Sequence, residues 1–515
     1  MSKSGSVYEL VLSLTKTEKR YYKLFARLNK QDSNLLSLFD AISLKGLITD
    51  IELKEHFVSK TFLQHLDVYK VHLKESILHS MRSFHQSRNM NNILHNHLAD
   101  ANFLFAKGLY KQCYKLILRS KVLAQDSGNY SALLEFIKLE SDLLKVNENF
   151  QDQNKKLLLL SDEENAVVDN LLIESKSGYK ITRAELLVKK FEKSGEDLDY
   201  VALINLFAEI EISEKYLTPL LRRKLFLIKA KFHKILFQYK KAQQYFFKYL
   251  TALENSTILL RENTEQYIKV MQEHISLSIR MTQFHVAFRK NEELKKLPEM
   301  LNKIQKRNNH LLCKVEGYYH QNKISIYLHC GEMEKALNSI KEAELYLTQK
   351  NAIINTETKA ELITLQCYYY FMINDHIKSK DHFFIHKNLL TPMINSDLVI
   401  NIYLLNYLLE YVKGNRNSRR SALRSLYREL LKGKSLSQFE NICIDILRKS
   451  AITGKTSKSK IVWEKFLLKE LHQLKSGPLW EMRSIRFDLI SWLESRQEKQ
   501  PFFQILQEKY SSMLS

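Results

Sequence analysis

Residues 230–249 read AKFHKILFQYKKAQQYFFKY, and the spacing within this stretch decides the fold class. Small, apolar or aromatic side chains stand at its first residue and then 3, 9, 12, 16 and 19 residues later. Steps of three and four place side chains on one face of a helix. The same spacing occurs twice more, beginning at Ala101 and at Ile324. Each stretch therefore predicts a helix, a turn and a second helix.

These positions resemble the hairpin of the tetratricopeptide-like α-solenoid family. In that family, small residues let the two backbones approach closely, and a bulky residue after the turn wedges between them. The resemblance implies an α-solenoid of antiparallel helical hairpins, and it implies binding of a protein or peptide partner on the solenoid surface. The packing residues predicted on this basis are Ala101, Tyr110, Cys113, Ala230, Tyr239, Ala242, Tyr327, Met333, Ala336 and Ala343.

The spacing between hairpins is longer than in that family. The position 12 residues after the start of a stretch serves as an anchor for the period. Extended along the chain, this anchor falls at Ala242, Ala287, Ala336, Lys380 and Ala422, in steps of 45, 49, 44 and 42 residues. A tetratricopeptide repeat has about 34 residues. The proline that closes the second helix of the family is missing, and Ile324 and Tyr249 stand where small residues are preferred. We therefore expect longer helices that pack in the same way.

Composition supports an all-α chain. Its 515 residues include only 12 Gly and 5 Pro, whereas average usage would give about 36 and about 26. Scarcity of helix breakers favours long helices over strands with tight turns. No apolar stretch reaches the roughly 18 residues of a membrane-spanning helix. The N-terminal apolar run Val7–Leu14 is interrupted by Glu9 and has no cleavage site, so we expect neither a signal peptide nor membrane insertion.

Residues that could carry chemistry do not form a recognised motif. The five cysteines are widely spaced and include no C-x-x-C pair, which is typical of reduced thiols in a cytoplasmic protein. Glycine-rich phosphate loops, G-x-S-x-G and H-E-x-x-H are absent. We therefore expect no cofactor, no catalytic or metal-binding residue, and a protein that is not an enzyme.

Two sets of histidines have a regular spacing. His382 and His386 stand four residues apart, a spacing that can chelate a metal on a helix, although coincidence is the favoured interpretation. His65, His72 and His79 recur every seven residues, which favours a helix face over a pH sensor.

The pattern divides the chain into three sections: an N-terminal helical unit (1–90), a tetratricopeptide-like hairpin array (91–412) and a basic C-terminal helical section (413–515). Capping boxes predict helix starts at Thr15/Glu18, Thr49/Glu52, Ser161/Glu164, Thr182/Glu185 and Ser437/Glu440. Loops or turns are predicted at Asn147–Lys156, Glu174–Gly178, Ser194–Asp197, Gly414–Arg419 and Gly454–Lys460.

The excess of basic residues suggests an alternative function. The chain has 79 Lys and Arg against 57 Asp and Glu, a formal net charge of +22. Residues 413–460 hold thirteen of the basic and three of the acidic residues. Steps of four place a row of cations on one helix face that could bind a polyanion: Arg416, Arg420, Arg424, Arg428 and Lys432. The chain is thus expected to bind a protein or peptide, with nucleic acid as the alternative partner; the sequence does not determine its oligomeric state.

Overall fold

The structure is a computed structural model that describes most of the 515 residues. The described residues are 5–29, 32–45, 49–58, 61–86, 89–146, 150–194, 204–205, 207–208, 217–304, 309–350, 354–389, 396–413, 416–431, 457–475 and 488–514. Across these ranges the chain forms helices and contains no strand, so the all-α prediction is confirmed. Within the same ranges every helix is too short or too polar to span a membrane.

The chain divides into two compact units, residues 1–171 and 172–515. The boundary falls inside the longest helix, so it coincides with neither boundary of the three-section division, which stays a prediction. The helices up to that boundary are α1 (Gly5–Ser13), α2 (Lys16–Leu28), α3 (Ser33–Lys45), α4 (Asp50–His56), a 3-10 helix (Thr61–His65), α5 (Leu66–His85), α6 (Met90–Ala106), α7 (Tyr110–Ser127), α8 (Tyr130–Leu144) and α9 (Phe150–Ser194).

In the first unit, α1, α2 and α3 pack against the long helix α5. Their core includes the fully buried rings of Tyr22 and Phe39, whose centroids lie 4.5 Å apart. The capping boxes at Thr15/Glu18 and Thr49/Glu52 are both formed, as predicted. Helices α6, α7 and α8 then pack in succession.

The second unit continues from α9 with α10 (Pro219–Ile235), α11 (Tyr239–Glu254), α12 (Thr257–Glu262), α13 (Thr264–Arg280), α14 (Phe284–Ile304), α15 (Asn309–His329), α16 (Met333–Lys350), α17 (Thr356–Met372), α18 (His376–Leu389), α19 (Ser396–Lys413), α20 (Arg416–Leu431), α21 (Ser457–Lys475), α22 (Leu489–Glu498) and α23 (Phe502–Leu514). Five pairs form hairpins: α10 with α11, α13 with α14, α15 with α16, α17 with α18, and α19 with α20. The first helices of successive hairpins also touch, α13 with α15, α15 with α17, and α17 with α19.

The hairpin of α6 with α7 and four of the five hairpins above, from α10–α11 to α17–α18, share one turn geometry, which Gly128 repeats between α7 and α8. A residue in the left-handed region follows the first helix, with φ between 57° and 73°, and the second helix begins two residues later. The next backbone N–H donates to a carbonyl five residues back at 2.8–2.9 Å, which satisfies the end of the first helix. The left-handed residues of the hairpins are Gly108, Phe237, Thr282, Gly331 and Asn374.

Five positions after each of these left-handed residues of the hairpins, the second helix places a side chain with no solvent exposure. These residues are Cys113, Ala242, Ala287, Ala336 and Ser379. The prediction of Lys380 at this position is wrong by one residue, because Lys380 is exposed and its Nζ lies 2.6 Å from Glu410. Ser379 instead donates its Oγ–H to the Cys367 carbonyl at 2.9 Å.

Most of the remaining predicted packing residues are buried or partly buried. Ala101, Ala230 and Ala343 are fully buried and Tyr239 is nearly so. Tyr327 and Met333 are partly buried against the core of the second unit. Tyr110 departs from the expected wedge, because its ring is 40% exposed and touches Phe105 at a centroid distance of 5.7 Å.

Several predicted loops are helical. Helix α9 begins at Phe150 and runs unbroken through Glu174–Gly178, so the turn there is wrong, as are the capping boxes at Ser161 and Thr182. Helices α20 and α21 begin inside two other predicted loops, at Arg416 and Ser457. Polarity misled these assignments, because Lys, Glu and Gln are good helix formers. The capping box at Ser437 and residues 147–149, 195–197, 414–415 and 454–456 lie outside the described residues.

The C-terminal helices α22 and α23, here called the strap, pack on the turn ends of the hairpins. The Trp492 ring in α22 lies 6.3 Å from Phe371 and 6.0 Å from Tyr411. In α23, Gln507 Nε2 donates to the Gly331 carbonyl at 3.0 Å, and the Tyr510 ring touches Phe284. The strap therefore contacts residues at the ends of four hairpins.

Candidate macromolecule-binding surfaces

The predicted arginine row lies on α20. Arg420, Arg424 and Arg428 are exposed, whereas Ala422 and Leu426 on the same helix are buried in the core. At 1.5 Å per residue, the three arginines span about 12 Å. The side chain of Arg416 and the whole of Lys432 lie outside the described residues. The structure thus brings together three of the five predicted cations on one helix face.

These three arginines keep their charge available to solvent. Among the described residues, no carboxylate forms an ion pair with any of them. The nearby Glu410 is engaged elsewhere, since Lys380 and Ser418 bind its carboxylate. Burial opposes ionisation of Glu410, but these hydrogen bonds prevail and lower its pKa below the usual value.

A second basic surface lies on the hairpin α10–α11, called the basic hairpin below. Residues 219–254 contain nine Lys or Arg and a single acidic residue, Glu254. Five of these cations are exposed: Arg222, Lys224, Lys240, Lys241 and Lys248. A count of charges over the whole hairpin identifies this surface from the sequence alone.

Aromatic rings lie among these cations. Lys248 Nζ lies 5.0 Å from the centroid of Tyr245 and 5.7 Å from that of Phe226. Phe247 is 52% exposed, and Lys290 Nζ lies 5.9 Å from its ring. Tyr245 and Phe226 are half-buried, so Phe247 is the exposed ring of this surface. Cations and an exposed ring together suit a single-stranded nucleic acid, which offers both phosphates and bases that stack.

Of the histidine pair His382 and His386, the structure describes only the side chain of His382. The His382 ring stacks on Tyr370 at 5.1 Å. No group of three or more potential metal ligands converges among the described side chains. His65, His72 and His79 line an open cleft of about 930 Å³ in the first unit, consistent with the predicted helix face.

Burial shifts the pKa of several titratable groups among the described residues. Burial lowers the pKa of His274 and His320 to about 4, so both are neutral near pH 7. Burial raises the pKa of the Cys330 thiol to about 12, which removes its thiolate near neutrality. Cys113, Cys313, Cys330 and Cys367 are buried free thiols, and Cys443 lies outside the described residues.

The two basic surfaces and the succession of contacting hairpins could therefore bind a partner. Comparisons with protein-family models, curated proteins and solved structures gave no match for this chain.

Proposed function

We propose that this protein is a non-enzymatic scaffold whose helices α10–α20 stack as an α-solenoid and bind a protein or peptide partner. The observation that carries the proposal is the common hairpin: in four of the five hairpins of α10–α20, a left-handed turn precedes a small, fully buried anchor residue. Buried free thiols support placing this scaffold in the reducing cytoplasm.

The first helices of successive hairpins touch, so their outer faces adjoin and together offer a binding surface longer than any single helix. On α13 this face carries the exposed residues Glu265, Lys269 and Ser276. Such polar positions would select a partner through hydrogen bonds and charge.

Affinity capture of the full chain from native lysate tests this proposal. We expect a stoichiometric protein partner that survives nuclease treatment, because the contact is between proteins. Ser276→Arg, on α13, should weaken capture, whereas His285→Arg on α14 should not. Both variants add one cation at an exposed position of the same hairpin. Failure to capture a stoichiometric protein, or equal effects of the two variants, would contradict the scaffold.

A second candidate function is binding of single-stranded nucleic acid, favoured by the exposed cations of the basic hairpin and by the exposed ring of Phe247. Binding of an oligonucleotide should then weaken steeply with salt, because each phosphate that the protein neutralises releases counterions. Replacing Lys240, Lys241 and Lys248 with glutamine should reduce the slope of log affinity against log salt by about 2, at about 0.7 for each phosphate that is no longer neutralised. Fluorescence anisotropy across a salt series measures this slope.

Two further triple variants sharpen the measurement. Glutamine at Arg420, Arg424 and Arg428 tests the α20 row in the same way. Glutamine at Lys145, Lys189 and Lys335 removes the same net charge from exposed lysines already held in ion pairs, and should leave the slope unchanged. Nucleic-acid binding is rejected if affinity does not depend on salt, or if all three variants reduce the slope equally.

A further inference from the structure

Helix α7 in the first unit presents an unpartnered apolar row. Four side chains at steps of four residues are each at least 40% exposed: Tyr110, Tyr114, Leu118 and Val122. The helix has already buried another face through Cys113, Ile117 and Ala124. Large apolar side chains exposed in a contiguous row mark an interaction surface more often than chance.

A basic row runs beside it. Its members also follow at steps of four, and all are exposed: Lys107, Lys111, Lys115 and Arg119. Residues 101–125 contain no Asp or Glu. Among the described residues, no carboxylate pairs with these four cations. The acids that reach α7 from α8 and α9 are both held by Lys121 instead, with Glu140 at 2.7 Å and Glu163 at 2.6 Å.

The two rows are neighbouring ridges of one helix. Each apolar residue lies three positions after a basic one, which places the rows about 60° apart around the axis. A row at steps of four turns by about 40° per step, so Tyr110 and Val122 point about 120° apart. Such an inclined ridge can pack into a groove on a partner helix, because the grooves between rows of side chains on that helix are inclined as well.

This geometry discriminates between partners. A bilayer favours an apolar face that runs straight along the helix, whereas this row turns by about 120° between Tyr110 and Val122. Half of the apolar row is aliphatic, and Leu118 and Val122 offer no ring on which a base could stack. The ridge and the uncompensated cations fit a partner that is helical, apolar on one row and acidic on the next.

We propose that this face of α7 docks an acidic amphipathic helix of a partner protein. The apolar row spans 12 residues, or about 18 Å, which corresponds to about three to four turns of the partner. The surface lies in the first unit, outside α10–α20, so the proposal goes beyond the scaffold function and stands or falls separately from it.

A synthetic four-turn helical peptide provides the probe. It carries Leu at every fourth position and Glu three positions from each Leu, and a shuffled peptide of the same composition is its control. We expect the full chain to bind the designed peptide at least about tenfold more tightly, as measured by titration calorimetry. Leu118→Ser should weaken binding about tenfold, because it removes the centre of the row. Leu78→Ser, at a similarly exposed leucine of α5, should have no effect.

A charge swap separates docking from general attraction. Lys111→Glu with Lys115→Glu should abolish binding of the Glu peptide and confer binding of the same peptide with Lys in place of Glu. Substituted side chains are exposed, and circular dichroism confirms that each variant is folded. Equal binding of designed and shuffled peptides, or equal effects of Leu118→Ser and Leu78→Ser, would overturn the proposal. So would Leu118-dependent binding to phosphatidylglycerol vesicles or to single-stranded DNA without binding to the peptide.

Discussion

Alanine at position 331 is expected to destabilise the second unit by about 2 to 5 kcal/mol and to release helix α23 of the strap. Gly331 has a φ of +73°, a conformation that strains any residue with a Cβ. An added Cβ would also lie 2.4 Å from the backbone oxygen of Phe503 and 3.0 Å from the backbone nitrogen of Gln507. Backbone atoms of a helix cannot yield as a flexible side chain can, so α23 must move away.

Hydrogen exchange, followed segment by segment through a urea series, measures both effects. Amides of residues 502–514 should lose protection in Gly331→Ala under conditions where the hairpins remain protected. The exchange result matters most, because release of α23 is specific to the strap contact and general destabilisation is not.

Gly108→Ala supplies the matched control. Gly108 holds the same position in the turn between α6 and α7, with a φ of +72°, but an added Cβ would meet no atom within 4 Å. Only the backbone strain remains, so we expect a loss of about 1 to 2 kcal/mol. If the two substitutions cost the same, or if α23 stays protected in Gly331→Ala, the strap does not bind as closely as the structure indicates.

These turns also show what the sequence could predict. The shared spacing, with a small residue at its +12 position, identified three hairpins, because a helix pair that approaches closely excludes large side chains at its contact. The left-handed residues could not be found in this way, since Phe237, Thr282 and Asn374 occupy them besides the two glycines. Without the turn to set the register, counting from the period placed the fourth anchor at Lys380 rather than Ser379.

Helix α9 shows why polar stretches do not reliably predict loops. The stretch Glu174–Gly178 contains two serines and a glycine, which favour a turn. In the structure, Ile181, Ala184 and Val188 pack with Leu221 and Leu225 in one apolar cluster. Burial of this face outweighs the roughly 1 kcal/mol that a mid-helix glycine costs. Tertiary packing therefore decides that this stretch is helical, and local composition alone could not predict it.

The sequence predicts where the cations of the binding surfaces stand, but not whether the apolar side chains beside them are exposed. Steps of four between cations can be read directly from the sequence, and they occur on both α20 and α7. Whether the apolar residues beside them are buried depends on how neighbouring helices pack. Tyr110 was expected to be a wedge and is instead part of an exposed row, which is why the α7 surface emerged only from the structure.

Methionine at position 121 is expected to destabilise the first unit by about 3 to 5 kcal/mol near neutral pH. Lys121 Nζ binds Glu140 at 2.7 Å and Glu163 at 2.6 Å, and the side chains of Lys121 and Glu140 are only 12% and 10% exposed. Burial opposes the charge of Lys121, but hydrogen bonds and charges from the two glutamates prevail and raise its pKa. In the wild type this contribution is therefore present at neutral pH and lost only as pH rises through the raised pKa.

In Lys121→Met, the loss of unfolding free energy should itself depend on pH, at the acidic end of the scale. Without Lys121, the Glu140 carboxylate is buried without a counter-charge, a penalty that protonation removes. The difference in unfolding free energy between Lys121→Met and wild type should therefore shrink as pH falls towards about 4. Lys145→Met removes a pair whose side chains are 73% and 50% exposed, and should cost less than about 1 kcal/mol at any pH.

The double variant Lys121→Met with Glu140→Leu distinguishes a buried charge from lost packing. Removing both charges leaves Glu163, which is 37% exposed and can be hydrated. Most of the lost stability should return, because an apolar pair of similar volume often replaces a buried ion pair without cost. Urea unfolding of the three variants between acid and neutral pH measures these differences. A loss in Lys121→Met that is constant with pH, or that Glu140→Leu fails to restore, would mean that Lys121 acts through packing of its aliphatic stem rather than through its charge.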